Sequence, residues 1–267
     1  MAQAMCEKTE SERILEQYLE GQSLTWTRPS GSDRKQPDYE VQHRGASYVF
    51  EVKEFDYPAP EPSGGFSPCR PIQKKINRAR EQFKEYPDQC CALVLWNSKS
   101  ILRDVRLDVV LSAAFGERVD IEPKCAGDPR AEPLSYQFSG KAALTPTSNT
   151  TISAIAILVR YQLDQVWLEA WRRLSEKMGR GEVIQPFDES DITQQVSREF
   201  VGPRYLYQGT IRMIVLENPY AKIAFPLDLF TGPFDQRWRL ESGRFSLCFL
   251  GSELTRLKQS GVPFVYL

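Results

Sequence analysis

Asp38, Glu51 and Lys53 bring two carboxylates and an amine into one short stretch, PDYEVQHRGASYVFEVKEF over residues 37–55. Side chains alternate along a strand, so in the apolar run around Glu51 the residues Glu51 and Lys53 share one face while Phe50 and Val52 share the other. Asp38 to Gln42 reads as a second short strand, with Arg44-Gly45 as a two-residue hairpin turn between them. Counting outward from that turn pairs His43 with Ala46, Gln42 with Ser47, Val41 with Tyr48, Glu40 with Val49, Tyr39 with Phe50 and Asp38 with Glu51. Directly opposed side chains have Cβ atoms roughly 5 Å apart, and like charges placed so destabilise the sheet unless something neutralises them. A divalent cation would. A three-residue loop would instead shift the register by one and put the two acids on different faces.

Composition removes most other chemistries. The chain has 267 residues, enough for a large α/β domain with a proper core. Its 34 Lys and Arg against 35 Asp and Glu give a net charge of −1, so any basic surface must be local. The single histidine, His43, falls at the hairpin turn and reads as a surface residue, which disfavours histidine-dependent nucleases, zinc proteases and Ser-His-Asp hydrolases. The six cysteines show no C-x-x-C spacing, and Cys90-Cys91 open the apolar run CCALVLW as buried strand residues. There is no phosphate-binding GxxxxGK[ST] loop and no GxGxxG after a strand. No signal-peptide pattern is present and the longest apolar run, ISAIAILV, is too short to span a bilayer, so a reducing cytoplasm and no membrane partner are expected.

The elements that must position the acids follow from periodicity. TESERILEQYLEG reads as a helix, opened by a capping box of Thr9 and Glu12, striped by Ile14, Leu15, Tyr18 and Leu19, and stopped at Gly21. LTWT reads as a short strand. After the hairpin, DYPAPEPSGGFSPCRP is too rich in proline and glycine for regular structure. Helical spacing returns in PIQKKINRAREQFKEY, where Ile72, Ile76, Ala79 and Phe83 fall at i, i+4, i+7 and i+11. CCALVLW then reads as a fully buried strand, and strand, helix, strand in succession predicts a parallel crossover. Farther on, the sequence predicts a helix ending at Gly116, loops with short strands over 117–150, a strand in TISAIAILVRY and a helix in DQVWLEAWRRLSEKMG from Asp164 to Gly179. The tail from about residue 182 is expected to hold strands such as YQGTIRMIVLEN, together with a conspicuous stretch, NPYAKIAFPLDLFTGPFDQRW. Tail aromatics such as Trp238, Tyr220 and Phe234 are expected in the core by default, with base stacking or a dimer interface as the alternative.

Pro37-Asp38, Glu51-Val52-Lys53 and QFKEY at 82–86 together resemble the PD-(D/E)xK nuclease superfamily. QFKEY is similar to the Q-x-x-x-Y motif of its recombination-type exonucleases, and the first helix with Glu12 resembles that of archaeal Holliday-junction resolvases. The likeness covers about residues 9–97. It implies an α/β fold with a restriction-endonuclease-like core, ordered helix, three strands, helix, strand around a mixed central sheet, followed by a C-terminal α+β extension. Residues 1–180 are then expected to form the nuclease-like domain and residues 181–267 the extension, its packing onto that domain left open.

Phosphodiester hydrolysis needs charge neutralised at the phosphate and a water deprotonated at neutral pH, and a divalent metal does both. Magnesium, with manganese as a substitute, would suit Asp38, Glu51 and the backbone carbonyl of Val52. Lys53 would orient or help activate the attacking water and stabilise developing charge. The resemblance adds Glu12 as a metal or water contact, with Glu16 as the alternative, and Gln82 as a residue reaching into the site. Glu40 shares the face of Asp38 and competes with it for the ligand role. Lys74, Lys75, Arg78, Arg80 and Lys84 cluster on one helix and would hold phosphates, unless they form an ordinary solvated face.

The expected activity is metal-dependent nuclease action, on DNA before RNA, with endonuclease and exonuclease action both open. A homodimer is a family-level expectation, because paired cuts in duplex DNA need two active sites. The competing expectation is a catalytically inactive nuclease-like module that binds nucleic acid or a protein partner. The plain structural alternative is a surface ion pair of Glu51 with Lys53 beside an ordinary loop aspartate.

Overall fold

A computed structural model describes residues 8–29, 36–55, 69–97, 105, 107–119, 137–139, 141–160, 179–181, 209–241 and 244–259. The elements described are α1 (Glu10–Gly21), β1 (Thr25–Thr27), β2 (Tyr39–His43), β3 (Ala46–Phe55), α2 (Cys69–Phe83), β4 (Cys90–Asn97), α3 (Leu107–Phe115), β5 (Glu117–Val119), β6 (Gln137–Ser139), β7 (Ile152–Arg160), β8 (Ile211–Glu217), β9 (Gln236–Glu241), β10 (Arg244–Leu250) and α4 (Ser252–Gln259). The helix expected from Asp164 lies outside the described residues, apart from Gly179. No helix among them is long and apolar enough to cross a membrane.

Eight strands form one mixed sheet in the order β1-β2-β3-β4-β7-β8-β9-β10, which makes the protein α/β. β5 and β6 pair separately. The β2–β3 hairpin has the register that counting from Arg44-Gly45 predicts, from His43 opposite Ala46 to Tyr39 opposite Phe50. Both turn residues have positive φ, 49° at Arg44 and 80° at Gly45, the backbone that a two-residue hairpin turn of the right twist requires. β3 then runs parallel to β4, and β4 parallel to β7, so the crossover through α2 is the expected one. β8 returns antiparallel to β7, and β9 and β10 extend the same sheet rather than starting another.

Two apolar layers flank the sheet because its strands alternate. α2 and α3 cover the face carrying Val49, Phe55, Leu93, Leu95, Ile155 and Ile214, with Ile72, Ile76, Ala79 and Phe83 supplying the buried stripe of α2. α1 covers the other face, where Ile14, Leu15, Tyr18 and Leu19 meet Tyr39, Val41, Phe50 and Val52. The loop between β8 and β9 completes that second layer with Phe225, Leu229 and Phe230, the last lying 5.4 Å from the rings of both Tyr18 and Phe50. Trp238 is buried in the first layer, in the core as the sequence suggests.

A candidate metal-binding carboxylate site

β3 carries the site because its alternation splits a run of polar residues between two buried layers. Val49, Glu51, Lys53 and Phe55 face α2, whereas Phe50, Val52 and Glu54 face α1. Glu51 is 0 % exposed, so its pairing with Lys53 is not a surface ion pair. The Lys53 ammonium donates to one Glu51 oxygen, Oε1. The other oxygen, Oε2, is buried with no hydrogen-bond partner among the described residues. A carboxylate oxygen removed from water without a donor costs several kcal/mol of the order set by ion desolvation, a cost that a second cation beside Lys53 would relieve.

Asp38 stands just outside the ladder, one position before β2. The ladder ends at Tyr39 opposite Phe50, and the Asp38 Oδ2 accepts the backbone N–H of Val52 at 2.7 Å. That bond fixes Asp38 beside the Glu51-Val52-Lys53 segment. It engages one carboxylate oxygen, and a carboxylate has a second oxygen able to accept a further partner.

The remaining sequence-derived residues are distributed around this pair. Glu12 closes the α1 capping box, accepting the Thr9 N–H at 2.6 Å and its hydroxyl at 3.0 Å, and forms an ion pair with Arg28. It therefore sits on the helix that packs on the opposite side of the sheet from Glu51. Glu16, also on α1, is buried and accepts the Tyr39 hydroxyl at 2.9 Å and the Lys8 ammonium at 2.7 Å. Gln82 is half-buried beside Phe83, with no side-chain bond to Asp38, Glu51 or Lys53 among the described residues. It lies seven residues past Lys75, about 10 Å farther along α2. Glu40 faces the α2 side, close enough to Tyr86 that its charge helps raise the Tyr86 pKa, behind the larger effect of burial.

The basic residues of α2 divide in two. Lys74 and Arg78 are exposed, and Lys75 is half-buried with its ammonium 5.6 Å from the centre of the Phe55 ring. Burial, then the charge of Arg78, lowers the Lys75 pKa, and Glu54 opposes this. Arg80 and Lys84 both pair with Glu81, at 2.6 Å each, so their charge is partly neutralised locally.

Glu54 escaped the sequence reading. Its carboxylate accepts the Ser11 N–H at 3.1 Å and so fastens the amino end of α1 to the end of β3. Forty-three positions separate the two residues, and no local pattern marks such a bond. Arg28 and Tyr39 are likewise legible only in three dimensions; the Arg28 guanidinium lies 5.2 Å from the Tyr39 ring centre.

Among the described residues, no three His, Cys, Asp or Glu side chains gather closely enough to hold a metal by themselves. At this site the described residues offer two carboxylates, Asp38 and Glu51. No family model, curated protein or solved structure matches it. The assignment of chemistry therefore rests on the site itself.

Proposed function

We propose that this protein is a divalent-metal-dependent nuclease of the PD-(D/E)xK type that hydrolyses phosphodiester bonds in DNA. The observation that carries the reading is Glu51, wholly buried, with one oxygen on Lys53 and the other without a hydrogen-bond partner among the described residues, next to an Asp38 anchored on Val52. The order of elements supports the restriction-endonuclease-like core: α1, the antiparallel β1, β2 and β3, then α2 and the parallel β4.

Asp38, Glu51 and the Val52 carbonyl would hold magnesium or manganese, with water and phosphate oxygens completing the shell, the mixed coordination magnesium favours. When bound, the ion supplies Lewis-acid polarisation of the phosphate and a water of lowered pKa. Lys53, fixed by Glu51, orients that water and offsets the charge that builds on the phosphate. Lys74, Lys75 and Arg78 hold the flanking backbone phosphates, which makes affinity fall with salt. Arg80 and Lys84 contribute less, because Glu81 already occupies them.

The test is cleavage of labelled single-stranded, double-stranded and branched DNA, and of RNA, by the wild type and Lys53→Ala in magnesium, manganese or chelator. Cleavage that requires both the metal and Lys53 is the expected result, and the substrate panel then identifies the class. No cleavage of any substrate, with an unchanged melting temperature on adding metal, would leave a binding module in place of an enzyme.

A further inference from the structure

Asp38 must be held to a fraction of an ångström to share a cation with Glu51, yet it lies beyond the end of the β2 ladder. On one side of β2, the pairing with β1 stops at Glu40 opposite Thr27. On the other, the last pair is Tyr39 with Phe50. The Asp38-Tyr39 peptide is therefore tied by backbone on one side only.

Tyr39 supplies the missing restraint. Its side chain is wholly buried on the α1 face, and its hydroxyl donates to Glu16 Oε1 at 2.9 Å. Glu16 is itself only 8 % exposed, and its other oxygen takes the Lys8 ammonium at 2.7 Å. The Tyr39 ring is wedged edge-on against Trp26, with centroids 5.5 Å apart, and beneath the Arg28 guanidinium. A phenylalanine and an aliphatic residue would pack this layer without burying a carboxylate, so the polar pair is kept at a desolvation cost.

We infer that Tyr39 and Glu16 are positioning residues for the cation site, cross-linking α1 to the first residue of β2 so that the adjacent Asp38 carboxylate stays on the Val52 N–H and within reach of a cation shared with Glu51. The inference rests on the metal-binding reading above. Partners hydrogen-bonded directly to a ligand alter metal affinity by about 10- to 100-fold when removed, and Tyr39 and Glu16 act one step farther out through the backbone, which sets the expectation at the lower end of that range.

The experiment is titration of the full-length protein with Mn2+, followed by electron paramagnetic resonance, for the wild type, Tyr39→Phe, Glu16→Gln, Tyr18→Phe and Glu51→Gln. Tyr39→Phe keeps the ring and loses the hydroxyl, and its Mn2+ affinity is expected to fall about tenfold. Glu16→Gln retains an acceptor oxygen for Tyr39 and is expected to stay within about twofold of the wild type. Tyr18→Phe removes a second buried phenol-carboxylate bond, to Asp235 at 2.5 Å, and is the control for general destabilisation. It should lower the melting temperature and leave Mn2+ binding unchanged. Wild-type-like binding by Tyr39→Phe, with binding abolished in Glu51→Gln, would overturn the positioning role while the cation site stands. A wild type that binds no Mn2+ would overturn both.

Discussion

On the proposed reading, Glu51 is the residue on which the chemistry turns. Lys53 pairs with only one of its oxygens, and the other, buried without a hydrogen-bond partner among the described residues, carries a desolvation cost that a second cation would offset. On the metal-binding reading, a cation at 100 times its dissociation constant stabilises the folded protein by about 2.7 kcal/mol. Calorimetry with added Mn2+ should therefore raise the melting temperature of the wild type and leave Glu51→Gln unmoved. Cysteine chemistry offers a check on the neighbouring strand. Burial pushes the Cys90 thiol up to about 11 and the Cys91 thiol up to about 12. Alkylation at pH 8 should therefore spare both in the folded protein and modify both in denaturant. The reading of Cys90-Cys91 as buried strand residues rested on their place in an apolar run, a signal that needs no tertiary contact. His43 departs from its expectation as a plain surface residue. Its side chain is largely covered, and its Nε2 lies 3.2 Å from Asp228, a partner supplied by a distant loop.

At the scale of elements, α1 was legible in nearly every detail. Thr9 and Glu12 form the capping box, and the apolar stripe is the buried one. Thr9→Ala removes the cap, and urea unfolding should show a loss of about 1 kcal/mol. α2 was legible in its buried stripe and in Pro71, a residue suited to a first turn and found there because the helix begins at Cys69. The loop over residues 218–235 was conspicuous in sequence but had no assigned place. In the structure its Asp228 bridges His43 and Arg44 of the hairpin turn, the latter at 2.6 Å. Partial burial alone would raise the Asp228 pKa, but hydrogen bonds from its own backbone and His43, and the charge of Arg44, hold it below its ordinary 3.8. A depressed carboxyl contributes its stability above the unfolded value and loses it as pH falls through the folded one. The difference in denaturation midpoint between wild type and Asp228→Asn should therefore be present at pH 6 and shrink below about pH 3.8.

For the molecule as a whole, the last strands are part of one architecture with the first. Asp235, 1 % exposed, accepts the Tyr18 hydroxyl at 2.5 Å and the N–H groups of Met213 and Gly232 at 2.8 and 2.6 Å. It so joins α1, β8 and the loop before β9. Asp235→Ala leaves three buried donors without this acceptor, each worth about 1–3 kcal/mol. Equilibrium unfolding should show a loss of about 3 kcal/mol or more, felt across the entire sheet. Gly251 belongs to the same junction. A Cβ there would sit 2.4 Å from the carbonyl oxygens of both Gly232 and Pro233, so Gly251→Ala must move backbone and should destabilise by about 1–3 kcal/mol in the same measurement.

The hairpin register, the α1 cap, the α2 stripe and the buried β4 were determined by the sequence alone, because each depends on periodicity or turn chemistry within a few residues. Counting from Arg44-Gly45 alone places Asp38, Glu51 and Lys53 in one neighbourhood. Tertiary structure alone decided that Glu51 is buried rather than paired at the surface, that Asp38 turns onto the Val52 N–H, and that Glu12 lies across the sheet. It also decided that β8 follows β7, and that Tyr39 meets Glu16 and Tyr18 meets Asp235, across 23 and 217 positions. Those outcomes depend on which layers cover each face of the sheet, and that choice minimises exposed apolar area and unpaired buried polar groups over the whole chain at once.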